Sequence, residues 1–250
     1  VVVGARAMLK DGLFTRFPRP DFALAIHDTA DLPAGKIGYT SGYAASNSDS
    51  VDVTIFGKGG HGSRPDTTVD PIVIAARTVL ALQTIVSREN KPFDPAVITV
   101  GSIHGGSKHN IIPDEVKLQL TVRSFKPEVR KRLLSGIERI AKAEAAAAGA
   151  PKAPVVEIRE STDAVYNDPE LTRRVVAGLR RQFGEANVVE KQPFMGSEDF
   201  SQYGRAGVPA SLFSVGVAEP SKFAEATKSG STVPSTHSSL FAPHLPVSLR

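Results

Sequence analysis

The fold predicted from the sequence is organised around one short stretch, Lys58-Gly59-Gly60-His61-Gly62-Ser63-Arg64-Pro65. Residues 51–56 before it alternate with period two, which predicts a half-buried strand. Residues 71–86 after it repeat apolar side chains at helical spacing, with Thr68 or Asp70 as the cap and proline in the first turn. His61 therefore lies either in an incidental glycine-rich connection or at a strand end, where it is presented into a cleft.

Composition limits the class of protein. The chain has 250 residues, 41% hydrophobic and 22% charged, which predicts a packed core rather than a disordered chain. A net charge of +4, spread along the sequence, does not indicate nucleic-acid binding, and the absence of cysteine excludes disulfides and thiolate metal sites. The sequence shows neither a signal peptide nor an apolar run of about 18 residues, so we expect a soluble cytoplasmic protein.

A regular order of elements follows the polar residues 46–50, where we place a hinge. Strands are predicted at residues 51–56, 96–103, 116–123 and 155–158, and helices at 71–86 and 127–148. This β-α-β-β-α-β order predicts a ferredoxin-like domain over residues 48–160, with two helices on one face of an antiparallel sheet. RNA-recognition domains share this order, but the aromatic strand with which they stack bases is missing here.

The flanking segments, residues 1–47 and 161–250, read as an α/β layer. Residues 21–27 form an apolar run ending in His27, as expected for a strand covered on both faces. Ligands in open α/β sheets bind beyond the carboxyl ends of strands, where we also place His237, in a polar loop after the apolar strand 208–216. His27 and His237, with Glu198, suggest a metal site, but a catalytic zinc needs about three protein ligands, so this interpretation stays open.

A second polar connection, residues 101–114, carries His104, His109 and Asn110 among glycines. It is either a long hairpin loop or backbone kept open for a ligand. The roles of His104 and His109, and of the adjacent acids Glu198 and Asp199, are left undecided by the sequence, with orientation of metal ligands as the modest guess for the two acids.

Six motifs, in order along nearly the whole chain, resemble those of metal-dependent amidohydrolases of the M20 peptidase family, in the branch of hippurate hydrolases and N-acyl-amino-acid deacylases. The motifs are Gly4-Ala5-Arg6-Ala7-Met8, Ala25-Ile26-His27, Gly59-Gly60-His61-Gly62, His109-Asn110-Ile111-Ile112-Pro113-Asp114, Gly196-Ser197-Glu198-Asp199-Phe200 and His237-Ser238-Ser239-Leu240-Phe241. The resemblance implies an α/β catalytic domain interrupted by a lid and dimerisation domain, and a homodimer formed through that lid.

The resemblance also implies residue roles. His27 and His237 would be metal ligands in a site for two divalent ions, with zinc, manganese, cobalt and nickel undecided. His61 would stabilise the oxyanion during hydrolysis of the amide bond of an N-acyl amino acid or a related small amide. Asn110 and Arg123 would contact substrate, from their own or the partner subunit, and Gly196 would line the pocket.

The family pattern is incomplete in this sequence. The first metal-binding segment and the paired glutamates that supply the general base are not found, and Val1-Val2-Val3 stands where the glutamates belong. We therefore expect a catalytic domain truncated at both ends, whose activity alone is doubtful. The alternatives are an inactive remnant that only dimerises, or a small-molecule-binding module.

Overall fold

The structure is a computed structural model that describes residues 4–244. Contacts divide the described chain into two compact units. Unit 1 contains the described residues up to Ala45, Val165–Phe194 and the described residues from Glu198 onward, whereas unit 2 contains Ser46–Ala164 and Met195–Ser197. The predicted borders at 47/48 and 160/161 fall inside strands of unit 2.

The described residues contain twelve strands and seven α-helices, joined by turns, loops and short 3-10 or π segments. The strands are β1 (Ala23–Pro33), β2 (Ile37–Tyr39), β3 (Gly42–Ala45), β4 (Asn47–Phe56), β5 (Gly60–His61), β6 (Ala96–His104), β7 (Ile111–Ile112), β8 (Glu115–Ser124), β9 (Val155–Thr162), β10 (Val165–Asn167), β11 (Val188–Glu190) and β12 (Ala210–Ala218). The helices are α1 (Gly4–Lys10), α2 (Leu13–Arg16), α3 (Pro71–Thr84), α4 (Pro127–Ala147), α5 (Pro169–Phe183), α6 (Ser201–Arg205) and α7 (Pro220–Ser229).

Unit 2 is built on one four-stranded antiparallel sheet. Its strands lie in the order β6-β8-β4-β9, and its main elements follow the chain order β4, α3, β6, β8, α4, β9. Alternate residues of β8, including Leu118 and Val122, are fully buried in one cluster with Ile74 and Leu82 of α3 and Leu133 of α4. The period-two pattern of residues 116–123 therefore places its apolar face against the two helices.

Helix α3 begins where the sequence predicts. The side chain of Asp70, rather than Thr68, accepts the Ile72 N–H at 2.8 Å, and Pro71 follows the cap. The helix continues as one π turn, Ile85–Glu89, so the helical segment Pro71–Glu89 is long and apolar enough to span a membrane by length and composition. Ile74 and Leu82 nevertheless pack into the buried cluster of unit 2, as in the core helix of a globular domain.

Polar residues at the predicted hinge begin strand β4, directly after the border between the two units at Ala45 and Ser46. Asn47 and Asp49 are buried in β4, Asn47 accepts a hydrogen bond from Ser124 at 2.7 Å, and Asp49 pairs with Arg130. The absence of a hydrophobic period in residues 46–50 reflects this buried polar network, because a satisfied polar side chain can occupy a core position.

Unit 1 contains a mixed sheet with strand order β1-β12-β2-β11, in which β1 and β12 are parallel. His27 lies fifth in the eleven residues of β1, opposite Ser214, so its predicted place at the strand end is wrong. The strand continues through Asp28 and Thr29, opposite Val215 and Gly216, because an edge strand can keep polar side chains in solvent while its backbone pairs on one side.

Helix α7 occupies a region predicted as a polar loop. Its cap is Glu219, which accepts the backbone N–H groups of Ser221 and Lys222. The hydrogen bond from the Ser221 hydroxyl, together with these two backbone bonds, lowers the pKa of Glu219 to about 2. The Glu219-Pro220 pair was the available signal, since proline is common at the first helical position.

Candidate functional site

His61 and Asn110 are brought together in unit 2. The short strand β5 pairs with β7, with His61 opposite Ile111, and the Gly62 N–H donates to the Asn110 carbonyl at 2.8 Å. Two segments separated by about fifty residues of sequence thus form one small ladder that carries both predicted site residues.

The glycines beside His61 permit this ladder. A Cβ on Gly59 would lie 2.7 Å from the Ile112 carbonyl oxygen, and one on Gly62 would lie 3.2 Å from the Asn110 oxygen. The Gly59 N–H also donates to the Asp114 carboxylate at 2.8 Å. The close backbone approach that the glycine run suggests is therefore an approach to residues 110–114.

The His61 ring is exposed and contacts Ser63. Its Nδ1 lies 2.7 Å from the Ser63 hydroxyl and accepts the Ser63 backbone N–H at 3.2 Å. The Arg64 N–H donates to the His61 carbonyl at 2.8 Å and closes a turn between them. Ser63 escaped the sequence interpretation, although a hydroxyl two residues after a histidine in a turn is a recognisable partner.

Arg123 and the loop that carries Gly196 also meet in unit 2. Arg123 Nη1 donates to the Met195 carbonyl at 2.7 Å. Ser46 donates its backbone N–H to the Gly196 carbonyl at 2.9 Å and its hydroxyl to Met195 at 2.9 Å. Ser46, which the sequence interpretation treated only as hinge, is therefore part of this predicted substrate region.

These two groups occupy opposite ends of β4. Arg123 pairs with Ser48 near the start of the strand, whereas His61 follows Phe56 at its end. At about 3.3 Å per residue, the strand separates the two ends by roughly 30 Å. A small substrate held at Arg123 is therefore out of reach of His61 in the same copy of unit 2.

Arg130 links two strands of unit 2 near the start of β4, the end of that strand at which Arg123 lies. Its guanidinium contacts both oxygens of the fully buried Asp49, at 2.6 and 2.8 Å, and also Asp163 at 3.1 Å and the Ser161 hydroxyl. The hydrogen bond with Asp49 raises the pKa of Arg130. One side chain thus joins β4 near its start to the end of β9.

His27 faces a different partner from His61. In unit 1 its Nδ1 lies 2.6 Å from the Asp28 backbone carbonyl oxygen and 3.3 Å from the Asp28 carboxylate. Because a carbonyl oxygen only accepts, Nδ1 is the donor, and in the neutral ring the lone pair therefore lies on Nε2. That is the form in which imidazole binds a cation.

His237 sits in an unusual backbone conformation. Its φ of 72° makes it the only non-glycine residue with positive φ among residues 4–244. The Ser238 N–H donates to the Ser235 carbonyl at 3.1 Å and closes the turn that carries it. Non-glycine residues in this region are uncommon and tend to mark functional sites.

The adjacent acids have local partners in unit 1. Asp199 accepts the Ala5 N–H at 2.6 Å at the start of α1, and Glu198 accepts the Phe200 N–H at 3.3 Å. The suggested part in orienting metal ligands has no support in these contacts.

The described residues do not complete a metal site by themselves. Between residues 4 and 244, no three side chains of His, Asp or Glu gather in a way that could hold a metal ion. The two predicted ligands, His27 and His237, would be fewer than the three or more protein ligands of a hydrolytic metal centre. A cleft of about 620 Å³ in unit 1 is lined by residues of α5, including Arg180, and by Tyr39, and none of the predicted site residues lines it.

Comparisons with known proteins agree with the resemblance drawn from the motifs. Residues 43–148 match the M20 profile described as a peptidase dimerisation domain. The N-acetyldiaminopimelate deacetylase of Priestia megaterium is 35% identical over 86% of this chain and 56% of its own length, and the hippurate hydrolase of Campylobacter jejuni is 34% identical over 79% and 51%.

A solved structure supports the fold. A protein of Bacillus subtilis described as a dinuclear metal binding peptidase from the M20 family superposes with a TM-score of 0.67 at 25% identity, over 86% of this chain and 52% of that one. The chain thus spans about half the length of the curated relatives it matches.

Proposed function

The chain carries the dimerisation domain of the M20 peptidases and its homologues are M20 hydrolases, and from that premise we propose that it is part of a metal-dependent amidohydrolase. The proposed substrates are N-acyl amino acids or related small amides, the class suggested by the names of the deacetylase and hippurate hydrolase relatives. The ferredoxin-like unit 2 would be its lid and unit 1 part of its catalytic domain.

The observation that carries the proposal is the opposite hydrogen bonding of two histidine rings. His27 donates from Nδ1 to a carbonyl, which leaves an Nε2 lone pair for a cation. His61 accepts at Nδ1 from an N–H group, which leaves Nε2–H free to donate to the oxygen of a substrate carbonyl. These are the two roles that the motifs imply for the two residues.

For the metal, we propose His27 and His237 as two ligands, completed by residues outside the range 4–244. A protein of the relatives' length is the material for the test. His27→Ala and His237→Ala should each lower the bound metal measured by elemental analysis together with activity, because both remove a donor. His61→Ala should keep the metal and lower kcat by about 10²–10³-fold, the usual cost of one oxyanion donor.

The results that would contradict these three roles can be told apart by metal content. Metal loss in His61→Ala would make it a ligand, and full metal content in both other variants would remove them from the site. A wild-type protein that binds metal but hydrolyses no N-acyl amino acid would favour the alternative, an inactive dimerising or small-molecule-binding module.

The proposed homodimer forms through the β6 edge of unit 2. The nine residues of β6 contain no charged side chain and no proline, whereas the opposite edge, β9, carries Glu157, Arg159 and Glu160. Both edges carry one bulge, at Gly101 in β6 and at Arg159 in β9, so the difference between them is charge. Charges protect an edge from pairing, so the uncharged β6 edge is the one that fits a second copy. Apolar side chains are exposed on neighbouring elements: Leu80 of α3, a helix that contacts β6, is 73% exposed, and Phe93, just before β6, is 96% exposed.

Two-fold pairing at this edge would explain how His61 and Arg123, which lie at opposite ends of β4, could act on one substrate. Across a two-fold axis the two β6 strands run antiparallel, so the His104 end of one copy lies beside the Ala96 end of the other. His104 pairs with Lys117 at the His61 end of the sheet, and Ala96 pairs with Ser124 at the Arg123 end. His61 of one copy would thus approach the substrate region of its partner.

Two experiments test this arrangement. Leu80→Asp should give monomers by light scattering after size exclusion, while the matched change Ile158→Asp on the β9 edge should leave dimers. Mixing inactive His61→Ala with inactive His237→Ala subunits should recover activity, because one of the two mixed sites is intact. A monomeric Ile158→Asp beside a dimeric Leu80→Asp would move the interface to β9, and no recovery on mixing would place His61 in its own site.

A further inference from the structure

We propose that Ser63 is a positioning residue that holds His61 in the tautomer with its proton on Nε2. This inference rests on the proposed role of His61 as donor to the substrate carbonyl. That role requires an N–H on the outward-facing nitrogen, and an exposed neutral imidazole can place its single proton on either nitrogen.

The hydrogen bonds around His61 select one of the two tautomers of its neutral ring. The Ser63 backbone N–H, 3.2 Å from Nδ1, can only donate, so Nδ1 must be the acceptor. The Ser63 hydroxyl, 2.7 Å from the same nitrogen, then donates as well. With Nδ1 accepting from both groups, the proton of the neutral ring lies on Nε2.

The backbone fixes Ser63 in this position. The hydrogen bond from Arg64 N–H to the His61 carbonyl closes the turn, and the bond from Gly62 N–H to Asn110 anchors the turn to β7. The Arg64 side chain pairs with Asp66 and leaves the ring to Ser63. The contact therefore belongs to the folded turn, and its hydroxyl half can be removed without changing the backbone.

Nuclear magnetic resonance of the ¹⁵N-labelled chain tests the proposal without any activity. At alkaline pH, where imidazoles are neutral, long-range ¹⁵N–¹H spectra report which ring nitrogen carries the proton, and the His61 signals are assigned by their loss in His61→Gln. We expect Nε2–H in the wild type, a shift toward a mixture of tautomers in Ser63→Ala, and the wild-type pattern in Ser63→Thr. The matched control is Thr67→Ala, which loses a hydroxyl bond to the Arg64 carbonyl in the same loop and should change nothing at His61.

Kinetics add a second readout on a protein of the relatives' length. Ser63→Ala should lower kcat about two- to tenfold with KM unchanged, the usual worth of one neutral hydrogen bond, and Ser63→Thr should restore it. A wild-type ring protonated at Nδ1, or His61 signals unaffected by Ser63→Ala, would overturn the role of Ser63 whatever the activity. Absence of hydrolysis by the wild type would instead overturn the proposed function, and the spectra would still decide on Ser63.

Discussion

The two units differ in how completely they bury their apolar surface. Unit 2 has one continuous buried cluster, drawn from one face of the sheet and both long helices. Unit 1 has two small clusters, and its strand β1 leaves Leu24 and Ile26 47% and 73% exposed. A strand in a parallel pair is normally covered on both faces, so the described residues of unit 1 leave this one unfinished. Because the buried cluster of unit 2 is drawn from its own sheet and helices, we expect its stability to come from its own residues.

Limited proteolysis tests this contrast most broadly. Unit 2 should survive as a resistant fragment close to Ser46–Ala164, while unit 1 is cut, because cleavage follows local opening and that is rarest in a well-packed core. Mass spectrometry of the fragments over time is the measurement. Early loss of residues 46–164 would reverse the comparison.

Removing Arg130 should have the largest effect of a single substitution. Arg130→Ala leaves Asp49 buried without its cation and should lower the free energy of unfolding of unit 2 by about 3–5 kcal/mol. The matched control on the same helix is Arg139→Ala, whose exposed pair with Glu89 should be worth about 1 kcal/mol or less. Hydrogen exchange of core amides in the intact chain measures both, and equal losses would contradict the role given to burial.

The same substitution in both units should give unequal results. Leu118→Ala empties a fully buried position of unit 2 and should cost about 2–5 kcal/mol. Leu24→Ala removes a half-exposed side chain of β1 in unit 1 and should change stability by less than about 0.5 kcal/mol. Urea denaturation compares them, and a large loss in Leu24→Ala would show that β1 is covered.

An effect smaller than those of Arg130→Ala and Leu118→Ala is expected at Asp52, on the sheet face of unit 2 that faces away from its helices. Hydrogen bonding from Lys117, supported by Arg159 and Gln119, lowers the pKa of Asp52. A carboxyl group whose pKa is lower in the folded state than in the unfolded state stabilises the fold at any pH above its unfolded-state pKa. That stabilisation is lost as the pH falls below roughly 4. Asp52→Asn should therefore cost about 1 kcal/mol near pH 7, and the difference from wild type should shrink toward pH 3 in denaturation curves. A difference independent of pH would show that the charge is not responsible.

Local patterns predicted what depends on neighbours in sequence. The period-two alternation around Leu118 and the Asp70-Pro71 helix start are short-range signals, and the structure contains both. The ladder between the His61 and Asn110 segments was predicted only in part. The glycines beside His61 indicate that another segment of backbone comes close, but they do not indicate which segment it is.

The features that escaped prediction depend on distant residues. The bond from Arg123 to Met195 joins positions 72 residues apart, and the pair of Arg130 and Asp49 joins positions 81 apart, so no periodicity reveals them. The continuation of β1 beyond His27 depends on its pairing with β12, another contact that only the folded chain provides.

The strand registers also show where the chain passes from unit 1 into unit 2 and back again. Ala45 and Val165 are register partners in unit 1, and Ser48 and Thr162 are register partners in unit 2. The chain therefore leaves and re-enters unit 1 at adjacent positions of one strand pair, 45/46 and 164/165, and crosses twice more, at 194/195 and 197/198, where the loop Met195–Ser197 belongs to unit 2. A short hairpin turn from Ala45 to Val165 would close the β3–β10 pair if residues 46–164 were removed, and the excised segment would lose the contacts that Ser46 and Arg123 make with the loop Met195–Ser197.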